Sequence, residues 1–551
     1  MQSSTHLGPA TSFAPENSFD AVIIGAGFSG LYMLHRLREQ GLRARVYEVG
    51  DDVGGVWYWN RYPGAKCDVE SIYYNYTFSE ALLKEWTWTT RYADQPSILR
   101  YLNHVADRFE LRRDIQFRTR ITAAHYDEAT ARWVVHADNG QTVAARYLIS
   151  GAGCLSSTNT PPFSGQDQFK GPQLHTGQWP HEPVDFRGKR VGVIGTGSSG
   201  IQAIPEIAKE AGHLYVFQRT PHYSTPAGNR AHAAEFLDET RERYPQIRQH
   251  MRESSNGVAK EVRRDSALKD TEDGRAARYE QAWQDGGTLL AAYGDLLTNA
   301  DANATAGEFI REKIRDTVKD PAVAELLLPR YMYGCKRPVL DSGYYETFNR
   351  DNVTLVDVKS DPIEGITAAG VKTGSREYPL DMIVFATGYD AMTGALFRID
   401  LRGRDGISLR EKWQDGAAIR TYLGVATAGF PNFFMITGPE SPSVLSNMVI
   451  SIEQHVEWIS DCIRHAEQRG CMAVEADSQA EAEWSRHCKE VADTTLLPQG
   501  ESWYTGANIP GKQRSFPIYL GGVGAFRKHC DGVSARGYEG FILTPQAAKA
   551  A

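Results

Sequence analysis

The sequence is poor in everything that marks a secreted, membrane-spanning or metal-bound chain. Cysteine is scarce: Cys67, Cys154, Cys335, Cys462, Cys471, Cys488 and Cys530 make seven in 551 residues, an odd number with no CxxC pair. That argues against a disulfide scaffold or a zinc site and fits free thiols in a reducing cytoplasm. No histidine cluster has ligand spacing, so no metal is expected. No stretch approaches the roughly 18 uninterrupted apolar residues that a membrane span requires, so no membrane partner is expected. The first residues, MQSSTHLGPATSFAPENSFD, lack the apolar core of a signal peptide. Excess positive charge is also missing. The chain has 60 basic and 68 acidic residues and a net charge of −8, which offers nucleic acid no basic face. There is no extended coiled-coil pattern, and a monomer is expected.

What is present is an ordinary globular composition, 41% hydrophobic and 23% charged, with mean hydropathy −0.43. The length suggests about three domains. Glycine is abundant, at 51 residues, and its placement is informative. The apolar run Asp20–Ile24 reads as a buried strand and leads into Gly25-Ala-Gly27-Phe-Ser-Gly30. Leu31, Leu34 and Leu37 then recur at helical spacing, and a second strand ends on Glu48. The unit repeats: Arg190–Ile194 leads into Gly195-Thr196-Gly197-Ser198-Ser199-Gly200, then a helix face of Ile201, Ile204 and Ile207, then a strand at Leu214–Gln218.

Each glycine in such a unit has a physical task. The first permits the tight turn, the second lets backbone approach a pyrophosphate, and the third packs the helix on its strand. The helix N-terminus then faces the anion with free N–H groups. The residue closing each unit separates the two ligands. Glu48 can accept from the hydroxyls of an unphosphorylated ribose, as in FAD or NAD. The second unit has Arg219 and Thr220 at the same place, and a guanidinium fork suits a 2′-phosphate, so NADPH is preferred over NADH. The predicted fold class is α/β, with two Rossmann-like dinucleotide-binding domains and a helical insertion. A chain with both sites is a flavin-dependent oxidoreductase.

One segment narrows the reaction. Phe169-Lys-Gly171-Pro-Gln-Leu-His175-Thr-Gly-Gln-Trp179-Pro180 resembles the FxGxxxHxxxWP fingerprint of type I Baeyer–Villiger monooxygenases. Gly54-Gly55-Val56-Trp57-Tyr58-Trp59-Asn-Arg-Tyr62-Pro63-Gly64-Ala-Lys-Cys67-Asp68 and the linker Ala386-Thr387-Gly388 are also similar to that family. The segments Gly438–Met448 and Trp503–Asn508 look most like its phenylacetone and steroid monooxygenase branch. The resemblance implies oxidation of a ketone to an ester or lactone with NADPH and O2, through an oxygenated C4a-peroxyflavin stabilised by Arg337 and NADP+. Arg337 matches the family's catalytic arginine, and Asp68 matches the carboxylate that holds it near the flavin. Lys336 matches a residue that helps Arg219 and Thr220 hold the 2′-phosphate. Val56, Trp57, Tyr58 and Trp59 are expected on the flavin, with Tyr74 and Ile121 towards its two ends. Trp503 matches a tryptophan on the nicotinamide side, in a loop expected to be mobile. Ser443, Leu445 and Met448 are expected to line the ketone pocket. His175 reads as structural, and Phe169 and Trp179 as packing residues.

The expected organisation is a flexible tail at 1–18 and an FAD domain at 19–152 and 387–551, the latter part carrying the substrate and NADP loop. An NADP domain is expected at 153–227 and 333–386, interrupted by helices at 228–332. Three other readings are open. A flavin disulfide reductase would need a cysteine pair where Cys67 stands alone. An N- or S-oxygenating flavin monooxygenase usually lacks the Trp179-Pro180 ending. A non-catalytic NADP-sensing module would have no use for both cofactor sites and the Arg337/Asp68 pair.

Overall fold

A computed structural model describes residues 13–260 and 263–546. Two mainly parallel sheets organise it, and each is built around a strand whose sequence is apolar almost throughout. Those strands are Ser18–Ile24 (β1) and Arg190–Ile194 (β8), and both are buried over most of their length. A strand covered on two faces has no solvent side to mark with polar residues, hence the unbroken runs.

The first sheet has eight strands. Beside β1 lie Ala44–Tyr47 (β2), Ile115–Gln116 (β3), Ile121–Asp127 (β4), Arg132–Ala137 (β5) and Thr142–Ser150 (β6). The second has five: Gln173–His175 (β7), β8, His213–Gln218 (β9), Val353–Asp357 (β10) and Met382–Phe385 (β11). Asp400–Arg402 (β12) and Phe433–Met435 (β13) return to the first sheet. The orders are β12-β4-β5-β6-β1-β2-β3, with β13 also on β6, and β10-β9-β8-β11-β7. In the second sheet every pairing is parallel. In the first, β6, β1, β2 and β3 run parallel, while β4 and β5 form an antiparallel meander into β6. Residues from both ends of the chain therefore build the first sheet, and the second is made from two separated stretches.

Each central strand feeds a helix through its glycine turn: Phe28–Glu39 (α1) and Ser198–Glu210 (α2). Gly25 has φ +96° and Gly195 φ +108°, conformations that a side chain would strain. A Cβ on Gly30 would lie 1.8 Å from the carbonyl oxygen of Gly25, and one on Gly200 would lie 2.4 Å from that of Gly195. The third glycine of each motif is thus fixed by the contact of helix with turn.

Between the stretches of the second sheet run the helices Ala234–Glu242, Tyr244–Glu253, Glu272–Asp285, Ala300–Thr317 and Pro321–Leu327. Their polar faces are solvated, while Tyr279, Ile310, Ile314 and Leu327 share a core with Val191 and Ile204 of the second sheet unit. Thr271, Asn299 and Asp320 cap three of them through side-chain oxygens. The long helix Met448–Gln468 (α3) packs against α1 in the first core. Among the described residues no helix is long and apolar enough to cross a membrane.

One sequence expectation needs correction. Residues 1–12 of the proposed tail lie outside the described residues, but the tail does not extend to 18. Pro15–Asn17 form a helical turn, Ser18 opens β1, and Arg43 donates to the carbonyls of Pro15 and Ser18 (the latter 2.9 Å). The guanidinium ties this stretch to the sheet edge.

Candidate active site

Both glycine turns open into one cavity of about 1170 Å³. Gly25, Gly27, Glu48, Val56, Trp57, Trp59, Asp68, Tyr74 and Ile121 line it from the first unit. Gly195, Thr196, Gly197, Ser198, Ser199, Arg219 and Thr220 line it from the second, joined by Lys336, Arg337, Met448 and Trp503. Residues spread over more than 400 positions thus share one space. Gly30 and Gly200 stand behind it as packing positions.

Neither α1 nor α2 has a side-chain cap; Gly27 and Gly197 occupy the N-cap positions. Their first-turn N–H groups are left for an anion, as is usual where a helix binds phosphate. A Cβ built on Gly197 meets nothing within 4 Å, so backbone lies open to a ligand there. Glu48 is buried, and its two carboxylate oxygens accept from the N–H of Ala26 (2.7 Å) and of Gly50 (2.8 Å). Burial raises its pKa against those bonds. It therefore clamps the turn as well as lining the cavity, and its remaining lone pairs are available to a ribose.

Trp57 donates through Nε1 to the Tyr74 hydroxyl (3.2 Å), which fixes two aromatic walls relative to each other. Tyr58 does not join them. Its hydroxyl accepts from the Asp51 N–H (3.1 Å), and its ring packs against Trp59 and His181 behind the cavity. The cause is local: Val56–Trp59 is a helical turn, and successive side chains there point about 100° apart.

Arg219 and Thr220 are exposed at the end of β9, and Thr196 donates to the Thr220 carbonyl (3.0 Å). Lys336 lies with its ammonium 4.7 Å from the centre of the Tyr331 ring. Burial, then the charge of Arg219, pushes the Lys336 pKa down. Two like charges held together at a cavity rim favour an anion between them. His222, which sequence reasoning missed, lines the same rim. Its pKa falls to about 4, chiefly through burial and despite a bond to the Tyr223 carbonyl, with the Lys336 charge adding to the fall.

The central polar feature is Arg337 with Asp68. Nε donates to one carboxylate oxygen (2.6 Å) and Nη2 to the other (2.9 Å), while Nη1 donates to the Val444 carbonyl (2.5 Å). The two side chains retain 28% and 29% exposure, and both line the cavity. Burial alone would raise the carboxyl pKa, but the Arg337 charge and its hydrogen bonds outweigh it and hold Asp68 below its ordinary value. The guanidinium stays charged for the reciprocal reason. The result is a fixed, forked cation in the cavity wall.

Met448 lines the cavity, together with Val444 and Ser446. Ser443 and Leu445 do not. Ser443 has φ +39°, is fully buried, and donates to the thiol of Cys154, which itself lines the cavity, so Ser443 stands one layer behind the wall. Leu445 packs in a small core with Cys154, Leu497 and Tyr504, beside Met448 and Trp503, which do line the cavity. Trp503 lines the cavity from a helical turn, Trp503–Thr505. That loop is pinned by Asn508, which donates to the Tyr389 carbonyl (2.8 Å), and by an ion pair of Lys512 with Asp390. His175 lies off the cavity. Its Nδ1 accepts from the Gly177 N–H (2.9 Å), and its Nε2 lies 3.3 Å from the Asn159 carbonyl and 3.4 Å from the Thr387 hydroxyl, where the linkers meet.

The chain is similar to several known proteins over nearly its whole length. Residues 20–225 match the family model of flavin-binding monooxygenase-like proteins. A Baeyer–Villiger monooxygenase of Pseudooceanicola batsensis is 46% identical over 96% of this chain and 97% of its own length. A phenazine N-monooxygenase of Lysobacter antibioticus is 42% identical over 95% and 97%. A solved structure of oxidized steroid monooxygenase bound to NADP is 51% identical, with a TM-score of 0.91 over 96% of this chain and all of that one.

Proposed function

The chain belongs to the Baeyer–Villiger monooxygenase family, and we propose that it converts a ketone, O2, NADPH and a proton to an ester or lactone, NADP+ and water. The observation that carries this reading is the forked Arg337–Asp68 pair in the wall of the one cavity that both glycine turns enter.

FAD fits the first turn. The uncapped N-terminus of α1 suits its pyrophosphate, Glu48 its ribose, and Val56, Trp57, Trp59, Tyr74 and Ile121 its rings. NADPH fits the second: the Gly195–Gly200 turn holds its pyrophosphate, and Arg219, Thr220 and Lys336 its 2′-phosphate. Trp503 closes the nicotinamide side. Bound flavin supplies the redox chemistry, accepting hydride from NADPH and activating O2. The protein supplies position and charge. Arg337 stays protonated at any working pH and offers donors to negative charge developing on the oxidant and the ketone oxygen. Asp68 fixes the plane of that guanidinium by accepting one of its N–H groups on each carboxylate oxygen. The apolar wall of Val444 and Met448 holds the ketone and excludes water.

Heteroatom oxidation is the second reading, because an N-oxygenating relative is nearly as similar. A fixed cation aimed at a developing carbonyl oxyanion favours the ketone. Supplying purified holoenzyme with NADPH, air and panels of ketones, sulfides and N-heteroarenes tests the choice. Ester of mass one oxygen above the ketone is expected as the main product. N-oxide as the main product, or NADPH consumption yielding only hydrogen peroxide across the panel, refutes it. Seven buried, unpaired cysteines support a cytoplasmic site of action. We also read the enzyme as a monomer, which gel filtration with light scattering checks.

A further inference from the structure

Glu440 is a buried acidic residue outside the cavity, in the segment Gly438–Met448, and the reading of the site gives it no role. It is 6% exposed and has φ +66°, a left-handed conformation unusual for glutamate. One carboxylate oxygen accepts from the Thr421 N–H (2.7 Å), the Thr421 hydroxyl (3.0 Å) and the Ser485 hydroxyl (2.9 Å). Its backbone N–H donates to the Pro517 carbonyl (2.9 Å). Its carbonyl accepts from Trp484 Nε1 (3.1 Å) and from the Cys488 thiol (3.7 Å). Trp484, Ser485 and Cys488 lie on the helix Ser478–Asp493 (α4), and Pro517 follows the loop that carries Trp503.

The segment around it is strained as a unit. Thr437 (φ +53°) and Ser443 (φ +39°) are also non-glycine residues in the left-handed region. Such residues persist only where their surroundings over-determine them, and they gather at functional sites. The far side of this segment is the cavity wall: Thr437, Val444, Ser446 and Met448 line it, and the Val444 carbonyl receives Arg337 Nη1. Glu440 itself does not reach the cavity.

We propose that Glu440 is a positioning residue that holds the strained 437–446 segment, and through Val444 sets both the ketone-facing wall and the third hydrogen bond of Arg337. This rests on the Baeyer–Villiger reading of the site. The alternative is that Glu440 anchors the fold and nothing more. The two differ in what a substitution moves. An anchor of the fold changes stability alone, whereas loss of a positioning residue misplaces the wall and the cation by fractions of an ångström, an error that catalysis amplifies.

The test compares wild-type holoenzyme with Glu440→Ala and Glu440→Gln, in flavin reduction by NADPH, ketone KM, ester kcat and the share of NADPH that ends as hydrogen peroxide. Glutamine keeps an oxygen for the donors of Thr421 and Ser485 and adopts the same backbone. For Glu440→Ala, flavin reduction stays within about twofold, ketone KM rises about tenfold and the peroxide share climbs. Glu440→Gln restores both. Where the alanine variant fails to fold, Thr421→Val, which removes one of the three donors, is read in the same way. An alanine or valine variant that melts earlier yet keeps wild-type KM and coupling overturns the proposal, as does a glutamine variant that behaves like alanine. A wild type that makes ester while the variants show no such shift removes only this inference; a wild type that makes no ester from any ketone removes the reading beneath it too.

Discussion

Arg337→Lys isolates what the guanidinium does beyond carrying charge. Arginine meets Asp68 with two nitrogens and the Val444 carbonyl with a third. A lysine ammonium is a single point charge that ends about 2 Å short of the outer guanidinium nitrogens. Placing a unit charge at about 5 Å rather than about 3 Å from a developing oxyanion lowers the attraction from about 5.5 to about 3.3 kcal/mol at an effective dielectric of about 20. That difference of about 2 kcal/mol is about 40-fold in rate. Lost direction adds to it, since removing one preorganised donor costs about 10²- to 10³-fold. Ester kcat should therefore fall between about 40-fold and about 10³-fold. Hydride transfer from NADPH has no need of the fork, so the single-turnover rate of flavin bleaching without O2 should stay near wild type, with NADPH consumption diverted to hydrogen peroxide. Product analysis by mass, peroxide titration and anaerobic stopped flow supply the three numbers. Ester formation within about threefold of wild type would falsify the assignment of Arg337. A parallel loss of flavin reduction would move its role to the reductive half.

Arg219→Ala removes one charged donor to the 2′-phosphate, worth about 1.5–3 kcal/mol. The KM for NADPH should rise about 10- to 100-fold while that for NADH changes little; equal changes in steady-state assays would sink the 2′-phosphate argument. Gly30→Ala drives a methyl group into the Gly25 carbonyl. The turn must open, at a cost of about 3 kcal/mol or more, and the purified protein should carry less than stoichiometric flavin by absorbance; a fully loaded variant contradicts the packing account. Glu453 is completely buried and accepts from the N–H groups of Thr77 (2.5 Å) and Phe78 (2.9 Å) and from the Thr77 hydroxyl (2.6 Å). Burial, then the Glu457 charge, lifts its pKa from 4.5 to about 7. Between those values the folded state keeps a proton that the unfolded state has lost, so this group's contribution to stability falls by up to about 3 kcal/mol as pH rises across the window. Glu453→Gln lacks that loss, and its urea midpoint should gain on wild type from pH 5 to pH 8; a constant difference refutes the shift.

The parts of the site that could be read in the sequence are those where backbone geometry restricts residue choice. Gly25 and Gly195 need positive φ, and Gly30 and Gly200 sit against carbonyl oxygens, so the turns announce themselves by glycine spacing alone. Arg337 and Asp68 were legible only through resemblance, because nothing in a Lys-Arg pair says that it faces a cavity. Tyr58 stands apart from Trp57 and Trp59 because a helical turn divides three consecutive aromatics that look like one surface in sequence. Ser443 and Leu445 stand off the cavity lining for a subtler reason. The positive φ of Ser443 rotates the segment so that Val444 presents its carbonyl to Arg337, and no side chain records which residue offers a backbone oxygen. Glu440 falls in the same blind spot, since its left-handed backbone contradicts its residue type.

The helical insertion also bears on the Arg337–Asp68 fork. Asp68 and Arg337 are 269 positions apart, so their fork holds only if the chain between them is rigid at that point. Two residues beyond Asp68, Glu70 accepts from Arg91 Nε (2.6 Å) and Lys260 Nζ (2.8 Å). The other nitrogens of Arg91 reach the carbonyls of Asp285 (2.6 Å) and Gly286 (3.1 Å), where the helix Glu272–Asp285 ends. A cation on the last carbonyls of a helix is favoured by the helix dipole as well as by the hydrogen bonds. Lys260, Asp285 and Gly286 all belong to the insertion, whose final helix, Pro321–Leu327, leads directly to Arg337. The insertion is therefore clamped at Glu70 and Arg91 to the strip that carries Asp68, and it delivers Arg337 to the other side of the same strip. A surface ion pair would contribute little, but Arg91 and Glu70 are 10% and 15% exposed and share several partners, so the seam resists separation. On this account the bidentate geometry at the cavity depends on contacts that never touch it.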